Sequence, residues 1–301
     1  MSKESRKIEL KLTAKESPLT GNFSVYRALP RRELRRVGGF VFFDHFDAEN
    51  IAPAQFDVPP HPHIGLQTVT YLYEGEILHT DSLGYQEYIT PGAVNWMTAG
   101  KGITHSEQVM KIQPRMHGIQ SWVGLPHDQR KVAPPAFEHF AAESLPTCAL
   151  ENASIRVLAG SLDENVSPIP TFQELTYLDI SAEAGCSLEI NVNPSHELAI
   201  YVCEGEISID GERVEKFVLA KLTNGAGKFA FSSERSAKFV LFGGEPLPDP
   251  TVIYWNFITD SLGEAKQAML DWEDGKFPEV PKYKKVSGEP DDGDVTRTPI
   301  M

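Results

Sequence analysis

The stretch Tyr71-Leu72-Tyr73-Glu74-Gly75-Glu76-Ile77 returns as Tyr201-Val202-Cys203-Glu204-Gly205-Glu206-Ile207, 130 residues later, with five of seven positions identical. Each copy is an apolar run that reads as a strand, enters a Glu-Gly-Glu turn and leaves as a second apolar run. The glycine supplies the backbone freedom that a tight hairpin needs. A strand–turn–strand segment repeated once at this separation implies two copies of one β domain. The surroundings agree. Gly39 to Phe43, Thr68 to Tyr73, Ile155 to Leu158, Leu175 to Ile180, Ser187 to Val192, Leu198 to Cys203 and Lys238 to Phe242 are short runs rich in Val, Ile, Tyr and Phe, set between Gly, Pro, Asn and Asp turns. Many short strands at such spacing imply sandwiches or barrels. The expected fold class is therefore all-β, two β-barrels with a short C-terminal helix. The expected division is residues 1–145 for the first barrel, 146–260 for the second, and 261–301 for a helix and polar tail.

The helix is expected because Ser261-Leu-Gly-Glu264 has the form of a capping box and Leu262, Ala265, Met269 and Trp272 recur at helical spacing. Past Lys276 the chain ends in SGEPDDGDVTRTPIM, polar enough to read as a mobile tail.

Charge and composition exclude several functions. Against 42 Asp and Glu stand 28 Lys and Arg, a formal net charge of −14, and a field of that sign repels polyanions. Direct nucleic-acid binding is not expected. The arginines at 27, 31, 32, 35 and 36 are the one cationic cluster, and they read either as a site for a phosphate or an acidic partner surface or as a solvated loop leading into the strand at Gly39. No apolar window has the length of a membrane span, and MSKESRKIELKL lacks the apolar core of a signal peptide, so the expected location is the cytoplasm. Cys148, Cys186 and Cys203 are odd in number and far apart, which suits buried thiols better than a disulfide framework. No nucleophile elbow, dinucleotide fingerprint or Walker loop is present.

The chemistry concentrates in two short stretches. In Pro60-His61-Pro62-His63-Ile64-Gly65-Leu66-Gln67 the two histidines are two apart, so on a strand both imidazoles point to one side. In Thr98-Ala-Gly-Lys-Gly-Ile-Thr-His105-Ser-Glu107, His105 and Glu107 form a second pair of the same kind. Two strands facing each other across a small barrel would then bring three nitrogens and one carboxylate to one ion. A donor set of His61, His63, His105 and Glu107 without thiolate suits an octahedral first-row ion such as Fe(II), Mn(II), Co(II) or Ni(II), and leaves two positions for a guest. Adding 130 to His61 and His63 lands on Asn191 and Asn193, so the second barrel is expected to carry no metal through these positions. The six remaining histidines lie outside HxH and HxE pairs and read as surface or satisfied core residues.

The paired stretches PPHPHIGLQTVTYLYEGEI and NWMTAGKGITHSEQ resemble the metal-binding motifs of the pirin family within the cupin superfamily, and Arg36 to Phe46 is similar to that family's entry segment. The resemblance is dense from about residue 20 to 125. It implies a bicupin, two cupin-type β-barrels of which the first holds a non-haem metal at His61, His63, His105 and Glu107. The metal it implies is Fe(II), with Mn, Co, Ni or Zn as alternatives. It further implies either flavonol 2,3-dioxygenase activity on quercetin, with Glu107 as the catalytic proton acceptor, or a metal-dependent interaction with a protein partner such as a transcription regulator. Where the cupin pattern usually has a carboxylate four residues after the second histidine, this chain has Gln67. Phe43, Phe46, Trp96, Met97 and Trp122 are the expected wall for a flat aromatic substrate. A monomer is expected, since two barrels in one chain can pair internally.

Overall fold

The computed structural model describes residues 5–20, 23–248 and 251–286. The polar tail expected from residue 287 onward lies outside the described residues. The chain forms two compact units that are interleaved in sequence. One comprises the described residues up to 15, then 26–43 and 143–246; the other comprises 16–25, 44–142 and the described residues from 247 on. The bulk of the chain changes unit between Ala142 and Glu143, but its first 43 residues are shared out between the two. The reason is strand pairing: Ile8–Thr13 adds to the edge strand Val218–Leu222, with Leu12 opposite Leu219.

The unit built on residues 44–142 sets a four-stranded sheet against a larger one. The small sheet runs in the order Asp57–His63, Ile103–Gln108, Ile77–Asp81, Gln86–Ile89. In the larger sheet, Val94–Thr98, Leu66–Glu74 and Gln113–Gly124 lie side by side, followed by Phe40–Ile51. Alternation along each strand sends every second side chain inward. Phe46, Leu72 and Met116 of the larger sheet thus meet Val58, Ile77 and Ile89 of the smaller in one apolar core.

The unit built on residues 143–246 repeats this plan strand for strand. Its small sheet is ordered Cys186–Asn191, Lys228–Ser233, Glu206–Ile209, Glu212–Glu215, and its larger sheet contains Val218–Leu222, Glu197–Glu204, Ala237–Gly244, Leu175–Ala182 and Ala153–Leu162 in that order. The core between them includes Val157, Ile180, Ile200, Phe229, Phe231 and Leu241. The two Glu-Gly-Glu turns occupy the same corner of each unit, with Gly75 at φ +94° and Gly205 at φ +71°. At Gly205 a Cβ would run into the carbonyl oxygen of Ser236, so the turn needs glycine for space as well as for its backbone angle. The same unit carries a cleft of about 760 Å³ lined by Glu174, Thr176, Asn191, Asn193, His196 and others.

The helix forms at Leu262–Glu273, with the Ser261 side chain accepting from the Glu264 amide at 3.2 Å. The return half of the expected capping box goes elsewhere: the Glu264 carboxylate accepts from the Asp260 amide, at 3.2 Å. Together with the hairpin of Val252–Tyr254 and Phe257–Thr259, the helix packs Phe257, Ala268 and Met269 against Ile64. Among the described residues no helix is long and apolar enough to cross a membrane. The three cysteines are free thiols, Cys186 and Cys203 buried and Cys148 half-buried.

Candidate metal centre

The sequence reading put the two motif strands on opposite walls of the barrel; they are instead immediate neighbours. Asp57–His63 pairs antiparallel with Ile103–Gln108, and His61 stands directly opposite His105. A bulge between His105 and Glu107 then shifts the register, so that Glu107 faces Val58. Adjacency explains the short distances. The ring centroids of His61 and His105 are 4.4 Å apart, and those of His63 lie 5.0 Å from each. One ring nitrogen from each of the three histidines lies within 4.8 Å of the others. The Nε2 atoms of His63 and His105 approach to 3.1 Å.

The surroundings keep the rings neutral with lone pairs available. Burial lowers the pKa of His61 to about 4 and drives those of His63 and His105 well below the usual imidazole range, with added charge repulsion from His61 at His63 and from His61, His63 and His79 at His105. His61 Nδ1–H donates to the Pro59 carbonyl at 2.9 Å, which leaves its Nε2 as the free donor of electrons. Trp122 meets His63 edge to face, centroids 5.1 Å apart. Three neutral imidazoles held this closely, two nitrogens of them at hydrogen-bonding distance, fit a shared cation.

Glu107 is buried next to this trio but outside the group whose ligand atoms lie within 4.8 Å of one another. Its Oε1 is 3.3 Å from both Thr70 Oγ1 and Gln120 Nε2. The Thr70 hydroxyl is closer to Gln120 Oε1, at 2.7 Å, so its single proton goes there and Gln120 passes an N–H on to Glu107. Burial raises the Glu107 pKa to about 7, opposed only in part by hydrogen bonding at its carboxylate. Gln67, at the position of the usual cupin carboxylate, is buried and donates to Thr98 Oγ1 at 2.9 Å.

Of the five residues expected to wall a pocket, Trp122 is the one in ring contact with the histidines. Phe46 packs in the core against Phe23 and Phe56, Trp96 and Met97 are buried, and Phe43 stacks on Phe242 with centroids 4.8 Å apart in the other unit. Sequence reasoning passed over Thr70, Gln120, His79 and Asp81. The last two carried a signal, since His79-Thr80-Asp81 is an HxD pair on a strand, the same spacing as His105 and Glu107.

In the second unit the corresponding strands carry other chemistry. Cys186–Asn191 ends in an amide in place of an imidazole, and its neighbour Lys228–Ser233 turns Phe229 and Phe231 inward. Those phenyl rings complete a core where the first unit has His105 and Glu107.

Two family models match the chain: Pirin over residues 22–123 and the pirin C-terminal cupin domain over residues 177–278. A pirin-like protein of Caulobacter vibrioides is 38% identical over 90% of this chain and 94% of its own length, and human pirin is 30% identical over 94% and 99%. The crystal structure of a quercetin 2,3-dioxygenase from Acinetobacter baumannii superposes with a TM-score of 0.85 at 31% identity, covering 94% of this chain and 96% of that one. With both halves matched in order, a bicupin architecture and a histidine trio in the first barrel, the chain belongs to the pirin family.

Proposed function

We propose that the chain is a metal-dependent dioxygenase of flavonols of the quercetin type, with His61, His63 and His105 holding Fe(II) or a related first-row ion and Glu107 completing the donor set. The observation that carries the reading is the convergence of three neutral imidazoles, His63 and His105 buried and His61 half-buried, with the buried carboxylate of Glu107 on the strand of His105. The similarity to the Acinetobacter quercetin 2,3-dioxygenase supports the choice of substrate. A bound ion of this kind supplies Lewis acidity toward a hydroxyl and open positions for small molecules.

The chain's own residues do the rest. Glu107, the one carboxylate of the proposed donor set, takes up the flavonol 3-hydroxyl proton. Gln120, itself oriented by the Thr70 hydroxyl, holds that carboxylate by one oxygen, Oε1, and so fixes its direction. Trp122 braces the ring of His63. Gln67 has no proton to exchange near neutrality and is tied to Thr98, so it serves as a structural amide and leaves the acid–base work to Glu107. We place the activity in the cytoplasm and in a monomer.

Fe(II)-loaded protein given quercetin should consume one dioxygen and release one carbon monoxide for each flavonol opened, measured with an oxygen electrode and by headspace analysis. Uptake no faster than that of buffer containing the same free Fe(II) would refute the proposal.

A further inference from the structure

The small sheet of the first barrel carries a hydrogen-bonded line of three side chains that starts at one of the proposed ligands. His105 Nδ1 lies 3.3 Å from His79 Nδ1, and His79 Nε2 lies 3.2 Å from Asp81 Oδ2. All three residues are buried. We propose that His79 and Asp81 are positioning residues that fix the proton of His105 on Nδ1 and thereby reserve Nε2 for the metal. The inference rests on the reading that His105 holds a metal.

The direction of the line follows from donor and acceptor capacity. A carboxylate only accepts, so the His79 proton must be on Nε2, facing Asp81. The remaining nitrogen of a neutral His79, Nδ1, then has only a lone pair to offer, and the Nδ1 it faces on His105 must carry the hydrogen. His105 Nε2 is left bare, and it is the atom 3.1 Å from His63 Nε2. One end of the line is thereby set by the other.

The anchor does not swing freely. Asp81 Oδ1 accepts from the amides of Leu83 at 2.9 Å and Tyr85 at 3.0 Å, closing the turn after its strand, so Oδ2 is held toward His79. Phe137 lies flat on the His79 imidazole, centroids 4.2 Å apart and planes within 8°, which fixes the ring's plane. Strand register does the remainder: His105 stands opposite Asp81 and Glu107 opposite His79. Partners of this kind beyond the ligands themselves typically change metal affinity by about 10–100-fold.

Three variants separate proton direction from packing. Asp81→Asn keeps one oxygen for the two turn amides but turns an N–H toward His79 Nε2. His79 must then accept there and carry its proton on Nδ1, which pushes the His105 proton onto Nε2. His79→Gln keeps the pattern, its carbonyl accepting from His105 and its amide donating to Asp81, whereas His79→Phe fills the space with neither function.

The readouts are two-bond nitrogen–proton correlation spectra of the chelator-treated protein, which report the His105 tautomer with no metal present, and competition titrations with Zn(II) and Ni(II). Expected are an Nδ1–H tautomer for His105 in wild type and His79→Gln, an Nε2–H tautomer in Asp81→Asn, and an affinity loss of about 10–100-fold in Asp81→Asn and His79→Phe, with His79→Gln within about threefold of wild type. An unchanged tautomer and affinity in Asp81→Asn, or equal losses in His79→Gln and His79→Phe, would overturn the proposal. Should Asp81→Asn fail to fold, the His79 pair still decides it. Wild-type protein that binds neither ion would sink the metal reading instead, while its tautomer would still test the line.

Discussion

His105 and Asp81 face each other in register on adjacent strands, yet their side chains connect through His79 rather than directly. The connection draws one proposed ligand into a network that reaches away from the histidine trio. His61 is held more simply, by the Pro59 carbonyl on its own strand. The unequal anchoring of the imidazoles gives the centre different sensitivities to different substitutions.

Removing the metal should loosen the first barrel. A ligand held at a hundred times its dissociation constant stabilises the folded state by about 2.7 kcal/mol. For a folding unit of roughly 150–250 residues, at about 2–4 °C per kcal/mol, chelation should lower the melting midpoint by about 5–10 °C, and Fe(II) or Ni(II) should restore it. Scanning calorimetry before and after dialysis against chelator checks this, and an unmoved midpoint would contradict a resident ion.

The double variant His61→Ala, His63→Ala removes two of three nitrogens and should retain under about a tenth of an equivalent of metal. Its melting midpoint should no longer respond to chelator. Elemental analysis of the purified protein gives the answer directly; stoichiometric metal in this variant would show that the ion sits elsewhere.

Acid should weaken the second barrel through His196. Burial lowers the pKa of this imidazole, and nearby Arg6 does the same, against the opposing pull of Glu174 and Glu245. Its Nδ1 is 2.9 Å from Thr176 Oγ1, and Asn193 lies 3.2 Å from its Nε2. Because the folded value lies below 6.5, the unfolded chain binds more protons at this site as pH drops through and below that value. The contribution is therefore complete above about pH 6.5 and shrinks on acidification. Denaturant titrations of wild type and His196→Gln should diverge with pH, the wild type losing ground as acid is added; parallel curves from pH 7.5 to 5 would rule the effect out.

Gly65→Ala should destabilise by about 3 kcal/mol or more, since its φ of +72° is unfavourable for a side chain and a Cβ would strike the carbonyl oxygen of Ile258. The damage should be local to the first barrel and the hairpin behind it. Hydrogen exchange resolves this: the amide of Ile258, which donates to the Ile64 carbonyl at 2.9 Å, should lose protection.

Much of this molecule was readable from residue order because its signals are local. Strands such as Leu175–Ala182 and Glu197–Glu204 announce themselves by composition and turn residues. The duplicated Glu-Gly-Glu turn revealed the repeated plan, and the i, i+2 spacing of His61 with His63 put two rings on one face. What stayed hidden depends on partners far away in the chain. Nothing in Ile8–Thr13 says that it pairs with Val218–Leu222, and the Gln120 contact to Glu107 comes from strands lying near each other in space. Phe43 reads as pocket wall because it lies near the motif strands in sequence, but it packs with Tyr201 and Phe242. His79 and Asp81 were visible as an HxD pair and were passed over in favour of HxH and HxE.

The backing of the histidine strand comes from the far end of the chain. Ile64 bonds to Ile258, and Phe257 with Met269 covers it, so residues synthesised later close the wall behind residues synthesised earlier. Until that stretch has been synthesised, the strand that carries His61 and His63 has one flank uncovered. A cation reaching the three imidazoles before that stretch has docked would meet a looser cage than one arriving afterwards.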